Sequence, residues 1–199
     1  MKPMIPMTLA ALIGVSLCAQ ADAAGRVAVR GAHANPSGGV TAGSAVGYRG
    51  PNGTEVRGRR VSTDAAGDVT RARGSAATGA NGGHYRRGGS TTYNADGSIQ
   101  HKSGFNAVGP NGGNAHSSGQ VTRNADGTYS GSRSTQANGA DGGHYDASTQ
   151  YANGSGTHTT NATGANGNTY EGETSWTRGE GVTHTGTCRD SAGNVIGCH

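Results

Sequence analysis

After Leu17 the chain contains no leucine and after Met7 no methionine; the larger aliphatics and phenylalanine that remain are eleven valines, Ile99, Ile196 and Phe105. No other feature restricts the fold as much. Burying an aliphatic side chain stabilises by about 1.5–3 kcal/mol, whereas ordering one residue's backbone costs about 1–2 kcal/mol. Fourteen such residues cannot support a conventional packed core for the 176 residues that follow Ala23. Two outcomes survive: a disordered chain, or a lattice of backbone hydrogen bonds between small side chains.

A repeat favours the lattice. Blocks of 30 residues beginning at Asp64, Asn94 and Asn124 align without a gap, and NADG opens two of them. Each block carries a second turn signal near its middle, ANGG, PNGG or ADGG, so glycines return at Gly67, Gly82, Gly97, Gly112, Gly127 and Gly142, fifteen apart. Weaker copies extend outward through PSGG at Pro36, PNG at Pro51, ANGN at Ala165 and SAGN at Ser191.

The chemistry of these tetrads explains their regularity. In Asn94, Asp96 and Gly97, as in Asn124, Asp126 and Gly127, an Asn or Asp at the first position can bond the backbone ahead. The fourth-position Gly tolerates the positive φ of a type I turn followed by a bulge. The half-repeat turns, rich in N-G, D-G and G-G, suit the primed turn types. The segments between them run about ten residues and are rich in Thr, Ser, Tyr, Val and Gly, a composition for strands and against helices.

The expected fold is therefore all-β: a Gly-rich antiparallel meander of about eleven strand-turn units of about 15 residues, with a 30-residue double repeat. A β-solenoid is the alternative, and part of the chain could be disordered. Alternation is shallow. Tyr145, Ala147, Thr149 and Tyr151 share one face, and Tyr170, Gly172, Thr174 and Trp176 repeat that pattern. A single layer of this kind would leave its thin apolar face and its edges open to another copy.

Several segments differ in character. Residues 1–23 read as a secretory signal peptide, with Lys2, an apolar run from Leu9 to Leu17 and the triplet Ala21-Asp22-Ala23. This predicts a secreted or cell-surface protein, or a periplasmic one, with no membrane span in the mature chain. Residues 24–63 form an Arg- and Gly-rich segment with degenerate repeats, 64–153 the three full repeats, 154–187 further degenerate copies and 188–199 a terminal hairpin. Removal of the leader takes Cys18 with it and leaves Cys188 and Cys198, an even count expected to form a disulfide in an oxidising compartment.

Charge is unevenly spread. Ten arginines between Arg26 and Arg87 face only Glu55, Asp64 and Asp68, giving +7; from Gly88 onward, five basic residues face eight acids, giving −3. Opposite signs favour head-to-tail association. Arg57, Arg59, Arg60, Arg86 and Arg87 are the candidate contacts for an anionic polymer.

Catalytic chemistry is not apparent. No nucleophile, base and orienting group can be placed together, so the chain is not expected to be an enzyme or to hold a cofactor. One Asp per turn, at Asp96, Asp126 and Asp141, is too few for calcium. The repeated pairs His84-Tyr85 and His144-Tyr145 would stand four strands apart in a meander, about 19 Å, too far to share a metal. Asn52, Asn153 and Asn161 head N-x-S/T sequons, frequent by chance in so polar a chain.

In composition and periodicity the strand-turn repeats resemble those of bacterial functional amyloid subunits. The Gln/Asn ladder positions of the curli subunit are absent and its repeats are shorter, so the likeness assigns no residue a role. Three functions follow as expectations: a structural or adhesive surface protein that self-associates through strand edges, a binding module for polysaccharide or an anionic polymer, and a disordered low-complexity exported chain.

Overall fold

The computed structural model describes residues 25–198, so the signal-peptide assignment of residues 1–23 lies outside the described residues. The described chain is all-β. Its strands are β1 (Gly25–Ala34), β2 (Val40–Gly50), β3 (Gly53–Thr63), β4 (Val69–Gly79), β5 (His84–Tyr93), β6 (Ile99–Val108) and β7 (Asn114–Arg123). They continue with β8 (Tyr129–Asn138), β9 (His144–Ala152), β10 (Ser155–Thr163), β11 (Thr169–Thr177), β12 (Gly181–Arg189) and β13 (Val195–Ile196).

All thirteen lie in one antiparallel sheet in sequence order, and strands contact only their chain neighbours. The sheet is an open meander, neither a barrel nor a solenoid. Its width is about 58 Å at about 4.8 Å per strand. The two strands beyond the expected eleven come from a shorter rhythm after β9, where strands of nine residues replace ten.

The repeat lengths follow from this geometry. Ten strand residues and a five-residue loop carry the chain across the sheet and reverse it, so a 15-residue unit puts successive turns at opposite ends. Thirty residues return the chain to the same end. Asn94–Gly97 and Asn124–Gly127 therefore sit on one rim, and the ANGG-type turns on the other.

NADG forms a hydrogen-bonded turn, but the side chain that bonds the backbone ahead is that of the third residue, not the first as expected. The Gly97 N–H donates to the Asn94 carbonyl at 3.0 Å, the Asn94 N–H donates to the Ser98 carbonyl at 2.9 Å, and Gly97 has φ 86°. The capping oxygen is Asp96 Oδ1, which accepts from the Ser98 N–H at 2.8 Å, while Asn94 Nδ2 donates to Ser98 Oγ at 2.8 Å. Thr128 N–H bonds Asp126 Oδ1 in the same way at 2.9 Å.

The half-repeat turns differ from the primed types expected. Gly82 N–H donates to the Gly79 carbonyl at 3.1 Å and Gly79 N–H to the Gly83 carbonyl at 2.8 Å, the NADG pattern again. Only Gly82 in that loop has positive φ, whereas a type I′ turn needs two such residues. A primed turn does occur between β9 and β10, where Asn153 and Gly154 have φ 51° and 95°.

Adjacent turns on a rim are tied together: the Ala95 N–H donates to Asp68 Oδ1 at 2.8 Å, and the Ala65 N–H to the Ser37 carbonyl at 2.9 Å. The C-terminal hairpin is closed by the Cys188–Cys198 disulfide, with the Cα atoms 5.4 Å apart. Among the described residues no hydrophobic side chain is buried, and only Ser117 is, at 1% exposure. The backbone ladder and the turns hold the sheet. No helix among the described residues is long and apolar enough to cross a membrane.

Candidate functional site: an arginine and aromatic face

Directly paired residues of an antiparallel sheet share a face, and residues two apart along a strand share it too. The register therefore sorts every strand residue. Tyr48 pairs with Glu55, Glu55 with Ala77 and Ala77 with Tyr85, and the row continues through Tyr145, Ala162 and Tyr170 to Cys188. Two residues along stands the row of Arg57, Ser75, Arg87 and Phe105; beyond it lies that of Arg59, Arg73 and Arg133. Gly131, Tyr151, Gly156 and Trp176 pair in succession on the same side.

Followed through the sheet, this parity places all seven tyrosines, Phe105 and Trp176 on one face. Nine arginines join them: Arg26, Arg30, Arg57, Arg59, Arg71, Arg73, Arg87, Arg123 and Arg133. Glu55 is the one strand carboxylate there. Asp146, Glu171 and Glu173 fall on the opposite face with Arg49, Lys102 and Arg189. The candidate arginines are thus divided: Arg57, Arg59 and Arg87 stand on the aromatic face, Arg60 and Arg86 on the other. Consecutive residues in a strand cannot point the same way.

The arginines are seated by serine hydroxyls of neighbouring strands. Arg133 Nη1 donates to Ser117 Oγ and Nη2 to Ser103 Oγ, both at 2.9 Å, while Arg87 Nε reaches Ser75 Oγ at 3.3 Å and Arg59 Nε reaches Ser44 Oγ at 3.2 Å. Each guanidinium carries five N–H donors, so most remain free. Arg57 differs in having a carboxylate as its partner, bidentate to Glu55 at 2.6 and 3.0 Å. That hydrogen bond holds the Glu55 carboxyl below its ordinary range and pushes Arg57 up. Arg57, Arg73, Arg87, Arg133, Tyr85 and Phe105 border an open depression of about 540 Å³ whose lining contains no carboxylate. The Tyr85 and Phe105 rings meet at a centroid distance of 6.2 Å. Arg26 lies over the Tyr48 ring at 5.7 Å and Arg71 over Tyr93 at 5.5 Å, cation–π contacts that hold these cations against the sheet.

Farther along, glycines seat the rings. A Cβ on Gly131 would come 2.5 Å from Tyr151 Cζ, one on Gly156 would strike the Trp176 ring, and one on Gly172 would strike Tyr170. These aromatics lie down on bare backbone. Tyr170 Oη is held by His184 Nε2 at 3.3 Å, and His184 Nδ1 by Thr174 Oγ1 at 2.8 Å.

The opposite face is quieter. Gly58, Gly74, Gly88 and Gly104 pair in one row, continued by Ser118, Ser134 and Ser148. A hollow of about 850 Å³ follows the strip from Gly88 to Ser148. Its lining sets Arg86, Lys102 and His116 among serines, but no tyrosine or tryptophan stands on this face, so the smaller depression, where Tyr85 and Phe105 lie beside the arginines, is the better site. His84 and His144 stand four strands apart on this face; His144 bonds Asn138 and Asp146. Among the described residues no three His, Cys, Asp or Glu side chains are grouped to hold a metal ion.

The sequence reading missed Arg73 and Arg133, and the signal for the first was present. Arg57-Gly58-Arg59 and Arg71-Ala72-Arg73 both place arginine at every second residue, the period of one sheet face. No known protein family, curated protein or solved structure matches the chain.

Proposed function

We propose that this is a secreted structural or adhesive repeat protein of the cell surface or matrix, without catalysis, whose sheets join through their edge strands. The observation that carries the reading is β1: ten residues, every one exposed, at the rim of a sheet that no second layer of described residues covers. Such an edge offers unpaired N–H and C=O groups to another strand. Between Arg26 and Arg30 its Val27-Ala28-Val29 run holds no proline, and the valines are 50% and 43% exposed.

The other edge fits it. Because strands alternate in direction, β12 of one copy runs antiparallel to β1 of a copy displaced by simple translation. The hairpin strand β13 covers only Cys188 and Arg189, which leaves Gly181 to Thr187 available. Pairing of this kind is heterologous and open-ended, so it builds long assemblies. The +7 and −3 halves draw copies together head to tail before the strands pair.

Light scattering of the mature protein across concentration tests the reading. Growth with concentration is expected, slowed by salt because exposed charges are screened beyond about 10 Å at 0.1 M. Val27→Lys with Val29→Lys should hold the protein monomeric. A wild-type chain monomeric at every concentration refutes edge association.

A further inference from the structure

We propose that the aromatic face binds an acidic polysaccharide laid across the strands: arginines of β3, β4, β5 and β8 grip its carboxylate or sulfate groups, and rings of β9 and β11 stack on its sugars. This site is separate from the edges that join copies.

Charge selects the class of partner. The face carries nine guanidinium groups and one carboxylate, and that carboxylate is already bound to Arg57. Arg59 stands directly opposite Arg73, so two cations share a single strand spacing of about 4.8 Å with no acid between them. A second copy laid face to face would add like charge. An anion relieves the repulsion, and the guanidinium fork matches carboxylate and sulfate geometry.

The rings select the backbone of that partner. Tyr151 and Trp176 lie in one row with Gly156 between them; Tyr145 and Tyr170 lie in another with Ala162 between them. Within each row the rings are two strands apart, about 9.6 Å, the length of two linked pyranose units. Tyr151 and Trp176 rest on glycine backbone and are half-buried, a platform on which the C–H face of a sugar can stack. Thr149 and Thr174 lie between the rows on the same face, where their hydroxyls can bond those of a sugar, and His158 between them holds the Thr149 and Thr160 hydroxyls.

Single-stranded nucleic acid fits less well. It brings a phosphate with every base, yet β9 to β12 present no arginine or lysine on this face. A polysaccharide can place acidic groups over the arginines and neutral sugars over the rings.

The test uses the Val27→Lys/Val29→Lys protein, so that edge association and face binding fail separately. Trp176 is the chain's one tryptophan and reports stacking by its fluorescence. Titration with heparin and with alginate supplies sulfate and carboxylate arms, against neutral dextran and oligothymidylate. Saturable fluorescence change with heparin or alginate is expected, at least tenfold tighter than with dextran or oligothymidylate. Arg59→Ser/Arg73→Ser/Arg87→Ser should weaken binding at least tenfold, and the opposite-face set Arg49→Ser/Arg60→Ser/Arg86→Ser less than threefold. Tyr151→Ala should weaken it several-fold while leaving its salt dependence unchanged, with far-UV circular dichroism reporting the fold of each variant. Equal losses from the two arginine sets, equal or tighter binding of oligothymidylate, or no response of the unaltered face to either acidic polysaccharide would each overturn the proposal.

Discussion

If turn geometry carries this fold, alanine at Gly97 and alanine at Gly31 should have opposite effects. Gly97 has φ 86° and Gly31 is not in the left-handed region; a Cβ at either would meet nothing within 4 Å. Packing therefore drops out of the comparison. Replacing glycine by alanine narrows the unfolded ensemble equally at both sites, a gain of about 0.4–1 kcal/mol that stands alone at Gly31. At Gly97 the left-handed backbone costs an L-residue about 1–2 kcal/mol, so the two variants should differ by about that amount. Gly112, at φ 90° and equally open, lies at the far end of β6, about 33 Å away. At that distance costs add, and Gly97→Ala/Gly112→Ala should lose about twice the single effect. Gly97→Asn should recover much of it, since asparagine visits this region. Urea titration followed by far-UV circular dichroism reads the midpoints. Identical shifts for Gly97→Ala and Gly31→Ala, or no loss in the double variant, would refute the claim that positive-φ turns hold the sheet.

Much of this architecture was legible because turns are local. The four letters NADG specify a hydrogen-bond pattern on their own, and fifteen-residue spacing fixes the antiparallel register, which is why the meander and the hairpin closed by Cys188 and Cys198 could be read from the sequence. Two turns were missed where the rhythm shortens. Asn153-Gly154 reads equally as the start of a sequon, and Thr177 to Gly181 lacks the Asn/Asp tetrad. The division of the arginines was harder to see, since Arg59 and Arg60 look like one patch until a register sends them to opposite faces. Local chemistry also cannot say which strands lie beside which: Arg133 joins the cluster because β8 brings it to Ser103 and Ser117, thirty and sixteen residues away in sequence.

Three further outcomes follow from the same geometry. Mass spectrometry of the protein recovered from an oxidising compartment should find Cys188 and Cys198 joined, two hydrogens lighter than the reduced form, and reduction, removing about 2–3 kcal/mol of loop closure, should raise amide exchange in β13 while leaving β5 to β8 unchanged. Asp96, Asp126 and Asp190 are held below the ordinary aspartate value of 3.8 by side-chain hydrogen bonds from Ser98, Thr128 and Asn194 and by backbone N–H groups. A carboxylate whose folded value is depressed stabilises above its unfolded value and loses that contribution as pH falls through the folded one. The acid limb of stability should therefore lie below about pH 4, and be shallower in Asp96→Asn/Asp126→Asn/Asp190→Asn. The last outcome tests whether glycine seats the rings. A methyl group at Gly156 would strike the Trp176 ring on one side and sit 2.7 Å from the Gln150 carbonyl on the other, so the ring must lift or the strand must shift. Overpacking of this kind costs about 1–3 kcal/mol, and the lifted indole should change its emission. Because Gly156 extends toward no charged group in that contact set, the same variant should leave the salt dependence of heparin binding intact while weakening it. A Gly156→Ala protein with unaltered stability, emission and affinity would mean that Trp176 does not rest on the backbone.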